Sequence, residues 1–112
     1  KLFFLLILYI MVKVIFSQAK QKGKKMQAVF FEKGKDGKMK KKKTVAFGSA
    51  GMSDYTINKD KARRQRYLDR HRKRENWNNP MSAGSLSKWI LWGDSTSKQA
   101  NIRAFKKRFN LN

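Results

Sequence analysis

The chain has 112 residues, 28 of them Lys or Arg against 7 Asp or Glu, a net charge of +21. One domain is the natural reading of that length, and a charge so far above what solubility requires makes a polyanionic surface the expected neighbour. Cysteine is absent, His71 is the only histidine and the acids are scattered among basic neighbours, which argues against disulfides, thiolate metal sites and acid/base pairs, so no enzyme, cofactor or small-molecule substrate is expected.

The chain opens on an apolar run, Leu2, Phe3, Phe4, Leu5, Leu6, Ile7, Leu8, Tyr9, Ile10, Met11, Val12, Val14, Ile15 and Phe16, broken only by Lys13. As a helix its 15 or so residues rise about 22 Å against a hydrocarbon core of about 30 Å, with Lys13 near the end and placed to snorkel. The first residue is not Met, which leaves room for an upstream extension. A signal peptide ending at Ser17-Gln18-Ala19 and a buried core helix compete with this reading. The small, highly charged remainder offers little apolar surface to bury such a helix. Residues 1–19 are therefore expected to be a transmembrane anchor, with the lysine-rich remainder on the cytosolic side.

Residues 20–26 read as a basic tether in which Lys20, Lys22, Lys24 and Lys25 attract anionic lipid headgroups. Residues 27–112 read as a small basic α+β domain, a β-hairpin packed with about three short helices. The hairpin strands are expected at Gln27–Glu32 and Lys40–Phe47 around a Gly-Lys-Asp-Gly turn, with Ala28, Phe30, Val45 and Phe47 facing the core. The run Lys40, Lys41, Lys42 and Lys43 is a candidate partner contact, or an edge strand charged against aggregation. Gly48-Ser49-Ala50-Gly51 lacks the ending of a phosphate-binding loop and reads as a turn.

Asn58 is the expected N-cap of a helix over Lys59–Glu75, whose pattern leaves Tyr67, Leu68 and His71 to touch a core. Pairs Asp69–Lys73 and Arg72–Glu75 are expected on its surface. Arg63, Arg66, Arg70 and Arg74 recur at i+3 and i+4 and form the candidate partner-binding row. Asn79-Pro80 breaks the chain. A short helix capped from Ser82 or Ser85 then carries Leu86, Trp89 and Ile90 on one stripe, and a last helix carries Ile102, Phe105 and Phe109. That stripe assigns Trp89 to a core, in preference to a base-stacking platform.

The segments Asp54-Tyr55-Thr56, Arg66-Tyr67 with Arg70-His71, Arg74-Glu75-Asn76-Trp77, Pro80-Met81 with Ala83-Gly84-Ser85-Leu86-Ser87, Ile90-Leu91-Trp92 and Phe105 to Leu111 carry a resemblance. Over residues 54–111 the chain resembles a family of small, basic proteins from nucleocytoplasmic large DNA viruses. The resemblance implies a viral origin and brings no catalytic residues. With the anchor and the charge, it leads to the expectation of a minor capsid protein, held in the internal virion membrane and bridging it to the capsid layer. The expected partners are acidic surfaces of capsid proteins and anionic lipid, with the basic domain facing the capsid. The alternative is a nucleic-acid-binding protein that tethers or condenses the genome.

Overall fold

A computed structural model describes residues 12–112. Its elements, in chain order, are β1 (Val12–Gln18), β2 (Lys24–Lys33), β3 (Met39–Ser49), α1 (Tyr55–Asn58), α2 (Lys61–Arg72), α3 (Ala83–Leu86), which runs on into a π-helical turn Ser87–Leu91, and α4 (Lys98–Arg108). The three strands form one antiparallel sheet in the order β1-β2-β3. The described residues are α+β, with a three-stranded sheet where a transmembrane helix and a two-stranded hairpin were expected.

The end of the expected anchor is overturned. Val12, Val14, Ile15 and Phe16 lie in β1, where Val14 pairs with Phe30 and Phe16 with Ala28. No helix among the described residues is long and apolar enough to cross a membrane. The physical reason lies in Lys13. A strand alternates its faces, so Val14 enters the core at 1% exposure while Lys13 and Ser17 point to solvent. A helix would have put that ammonium on an otherwise apolar cylinder. The rest of the expected anchor, Leu2, Phe3, Phe4, Leu5, Leu6, Ile7, Leu8, Tyr9, Ile10 and Met11, lies outside the described residues. The expected tether is likewise part of the fold, because Lys24 and Lys25 open β2 and only Ala19–Gly23 turn the chain.

The hairpin follows the alternation read from the sequence: Ala28, Phe30 and Phe47 are fully buried and Val45 nearly so. Its register slips between Phe30 and Phe31, which face Lys43 and Lys41, so Lys42 is the extra residue of a bulge. From Glu32 through Lys43 most residues are exposed on both faces, and the hairpin end stands clear of the helices. Over the inner face pack Tyr55, Leu86, Ile90, Leu91, Trp92, Ile102 and Phe105, joined by Phe16 edge-on to Phe47 and Phe105. The π-helical turn contributes three consecutive buried side chains, Ile90, Leu91 and Trp92, and is closed by Trp92 N–H donating to the Ser87 carbonyl at 3.0 Å.

Two close approaches explain glycines. At Gly48, with φ of +78°, a Cβ would sit 2.7 Å from Leu91 Cδ1, so a side chain there would collide with the core as well as strain the turn. The Glu75 carboxylate lies against Gly84 where a Cβ would project. Between β3 and α2 the buried Asp54 caps α1, accepting from Thr56 N at 2.9 Å and from Lys25 Nζ at 2.5 Å. That ion pair ties the loop to β2.

Candidate cationic interface

Among the described lysine and arginine side chains, only those of Lys25, Lys40, Lys42 and Arg64 have a nitrogen within 4.0 Å of an Asp or Glu carboxylate. The remaining cations leave the surface strongly positive in three places.

The first is the hairpin end. Lys40, Lys41, Lys42 and Lys43 are all exposed there, and two of them are weakly compensated, Lys42 by Glu32 at 3.4 Å and Lys40 by Asp36 at 4.0 Å. Exposed pairs of this kind contribute little, so the patch stays cationic.

The second is the face of α2. Asp60, and not Asn58, is the N-cap, with its carboxylate accepting from Arg63 N at 3.1 Å. Asn58 instead accepts from Asp60 N at 2.8 Å and Lys59 takes the left-handed conformation, so a two-residue break, Lys59 and Asp60, separates α1 from α2. From the expected arginine row, Arg63 and Arg70 line a cleft of about 360 Å³ together with Lys24, Lys25, Tyr67 and His71. Arg66 and Arg74 are exposed but do not line it. Two acids reach the same cleft, Asp54 paired with Lys25 and Glu75 with its carboxylate 3.5 Å from His71 Nδ1, while Lys24, Arg63 and Arg70 have no Asp or Glu side chain within 4.0 Å among the described residues. The expected pairs Asp69–Lys73 and Arg72–Glu75 are replaced: Asp69 accepts from Gln65 at 3.0 Å and Glu75 takes His71. Tyr67 is stacked between His71 and Trp92, and burial first, then the nearby Glu75 charge, pushes its phenol up to about 12.

The third place was not foreseen. Arg72, Trp77, Lys88, Trp89 and Arg108 alternate cation and ring, with Lys88 Nζ 5.2 Å from the Trp77 centroid and 3.5 Å from that of Trp89. Arg72 lies 5.9 Å from the ring of Trp77 and Arg108 lies 4.0 Å from that of Trp89. The two indoles are fixed to one another, Trp89 Nε1 donating to the Trp77 carbonyl at 2.8 Å. Burial, and next the charge of Arg64, hold Lys88 below the usual lysine range, with Arg108 and Arg72 adding to the effect and Asp94 opposing it. The helical stripe assigned Trp89 to the core, and the half-buried ring does pack against it, edge-on to Phe109, while Lys88 and Arg108 approach the same ring. Four positions along the sequence, 72, 77, 88 and 108, carry no common spacing that could have revealed the cluster.

Arg64 belongs to none of the three. Its Nε donates to the carbonyls of Trp92 and Gly93, both at 2.9 Å, and its Nη2 to Asp94, also at 2.9 Å. This fork satisfies carbonyls at the end of the π-helical turn, a task a lysine could not reproduce. No group of three or more metal-ligating side chains occurs among the described residues.

The comparison with curated proteins and that with solved structures give no match. A family model does match, and it spans β1, the hairpin, α1 and nearly all of α2, so the Lys13–Phe16 stretch once assigned to an anchor falls inside it. Residues 13–71, more than half of the chain, match this model of a family of unknown function, DUF5754, and the protein belongs to that family.

Proposed function

We propose that the protein is a minor structural component of a large DNA virus particle, joining acidic faces of capsid proteins to the layer beneath them. The observation that carries this reading is the placement of cations in excess of the acids near them: Lys40 to Lys43 on the hairpin end, Arg63 and Arg70 on α2, and Lys106, Lys107 and Arg108 on α4, along a molecule 46 Å in its longest dimension. Charge gathered on one face serves one partner; charge on separate elements serves two, which is what bridging requires. Acidic protein surfaces and anionic headgroups both meet that requirement. The resemblance of residues 54–111 to small basic proteins of such viruses supplies the setting.

Zero-length carbodiimide coupling in purified particles tests the reading, since it joins a lysine only to a carboxylate it already touches. Bonds from Lys40–Lys43 and from Lys106 or Lys107 to acidic stretches of capsid proteins are expected. Finding the protein outside particles, or linked only to nucleic acid by ultraviolet irradiation, would overturn it. The Trp77 and Trp89 cluster favours a second reading, since half-buried indoles interleaved with Arg72, Lys88 and Arg108 resemble surfaces on which single-stranded bases stack.

A further inference from the structure

We infer that the free edge of β1 takes up an extended acidic segment of a partner protein as an additional strand. The inference rests on the acidic-partner reading above and gives that partner a defined seat.

The edge is identified by its hydrogen bonds. Val14 N–H donates to the Asn112 carbonyl at 2.9 Å and Asn112 N–H donates to the Val12 carbonyl at 3.1 Å. In an antiparallel pair each residue directs its N–H and C=O to the same side, so the even-numbered residues of β1 point away from β2. Ala19, an odd-numbered residue just past the strand, agrees, donating to Lys25 of β2 at 3.3 Å. Phe16 and Gln18 therefore direct N–H and C=O outward beyond the point where Asn112 pairs, and no partner for these groups occurs among the described residues. The Asn112 bonds have the pattern of a parallel bridge centred on Lys13, and a guest strand would lie on the same side of β1 farther along, toward Gln18.

Space and charge fit such a guest. A groove of about 880 Å³ runs along β1 from Lys13 to Gln18, with α4 as its opposite wall. Ile15, Ile57 and Ile102 provide apolar contacts, and Ile57 is 61% exposed. Lys13, Lys24, Lys98 and Lys106 surround them, and among the described residues no acidic side chain lines the groove. Main-chain bonds would supply affinity, while alternate side chains of the guest met the isoleucines and the lysines. An exposed edge of this kind is ordinarily blunted by a lysine, a proline or a cover; here the lysines sit around the groove and leave the outward amides accessible.

The probe is a peptide of four Glu-Val repeats, with a polyglutamate of equal charge as the control for charge alone, each titrated against the full chain and its Gln18→Pro variant. Gln18 is exposed and its N–H points away from β2, so proline there removes a docking amide without breaking the sheet. The expected result is at least tenfold weaker binding of the alternating peptide by the variant, unchanged polyglutamate binding, and slowed amide exchange at Phe16 and Gln18 of the natural chain when the alternating peptide is bound. Affinities within twofold of each other, or unchanged exchange at both amides, would overturn the edge site while leaving the acidic-partner reading intact. If neither peptide binds, the acidic-partner reading falls first and the edge site with it.

Discussion

Tyr67 shows how single side chains in this protein serve both packing and charge. Its ring lies 4.3 Å from Trp92 and 4.1 Å from His71, and its phenol sits near about 12 against an ordinary 10.0. A group whose folded value is raised contributes stability that is fully present below its unfolded value and lost as pH climbs toward the folded one. The window here runs from 10 to about 12, and the loss across it is about 2 kcal/mol. Lys88, displaced downward, works in the opposite sense below 10.5, which is why a difference between two chains is the cleaner measurement. Urea denaturation of Tyr67→Phe should show a flatter pH dependence between 10 and 12 than the natural chain; identical slopes would mean that the phenol is no more buried folded than unfolded. Residues of this kind were only partly legible. Alternation exposed Ala28, Phe30, Val45 and Phe47 as core, because a half-buried strand states its faces every second residue. Nothing comparable marks Arg64, whose role depends on carbonyls 28 and 29 residues away.

At the level of elements, α2 depends on its first turn. Its interior is dominated by arginines, with Leu68 its only buried side chain, so tertiary packing contributes less than usual and the cap more. Replacing Asp60 by Ala should lower stability by about 1 kcal/mol, as a shifted midpoint in urea with unchanged slope. An effect below about a quarter of that would show that neither the hydrogen bond to Arg63 N nor the charge near the helix start stabilises the helix. The sequence revealed this helix but ran it three residues past its end at Arg72 and started it two residues early, because Asn58 and Asp60 are both good caps and only the left-handed Lys59 between them decides. β1 was misassigned for a different reason. Val12, Val14, Ile15 and Phe16 continue an apolar run without interruption of type, and the single Lys13 carries the period-two signal alone. With β1 hidden inside an expected anchor, its edge and the groove beside it were hidden too.

For the molecule as a whole, the question is which polyanion it prefers. Every cationic surface binds DNA to some extent, and the salt dependence separates counterion release from a designed grip. Fluorescence titrations of the full chain with duplex and single-stranded oligonucleotides should give micromolar binding that does not distinguish between them. A preference for single strands of more than tenfold, abolished by Trp89→Ala, would favour the stacking surface and displace the structural reading. The hairpin and the last helix could be read in advance; the expected fold, a transmembrane helix before a two-stranded hairpin, was wrong, and the sheet's third strand and the cation-ring cluster escaped because both depend on contacts between distant parts of the chain.

Those distant contacts also set a clock. Phe16 meets Phe105 with ring centroids 5.8 Å apart, and Val14 meets Asn112, so the strand made earliest among these elements is packed by the one made last. At about 5–20 residues per second, a ribosome needs roughly 5–18 s to travel between them. Throughout that interval the hairpin exists with one face of Phe30, Val45 and Phe47 lacking its helical cover, and neighbouring nascent chains on the same message present the same strands. The run of lysines at its tip, read above as a surface for a partner, is then also what keeps growing copies apart until the last helix emerges.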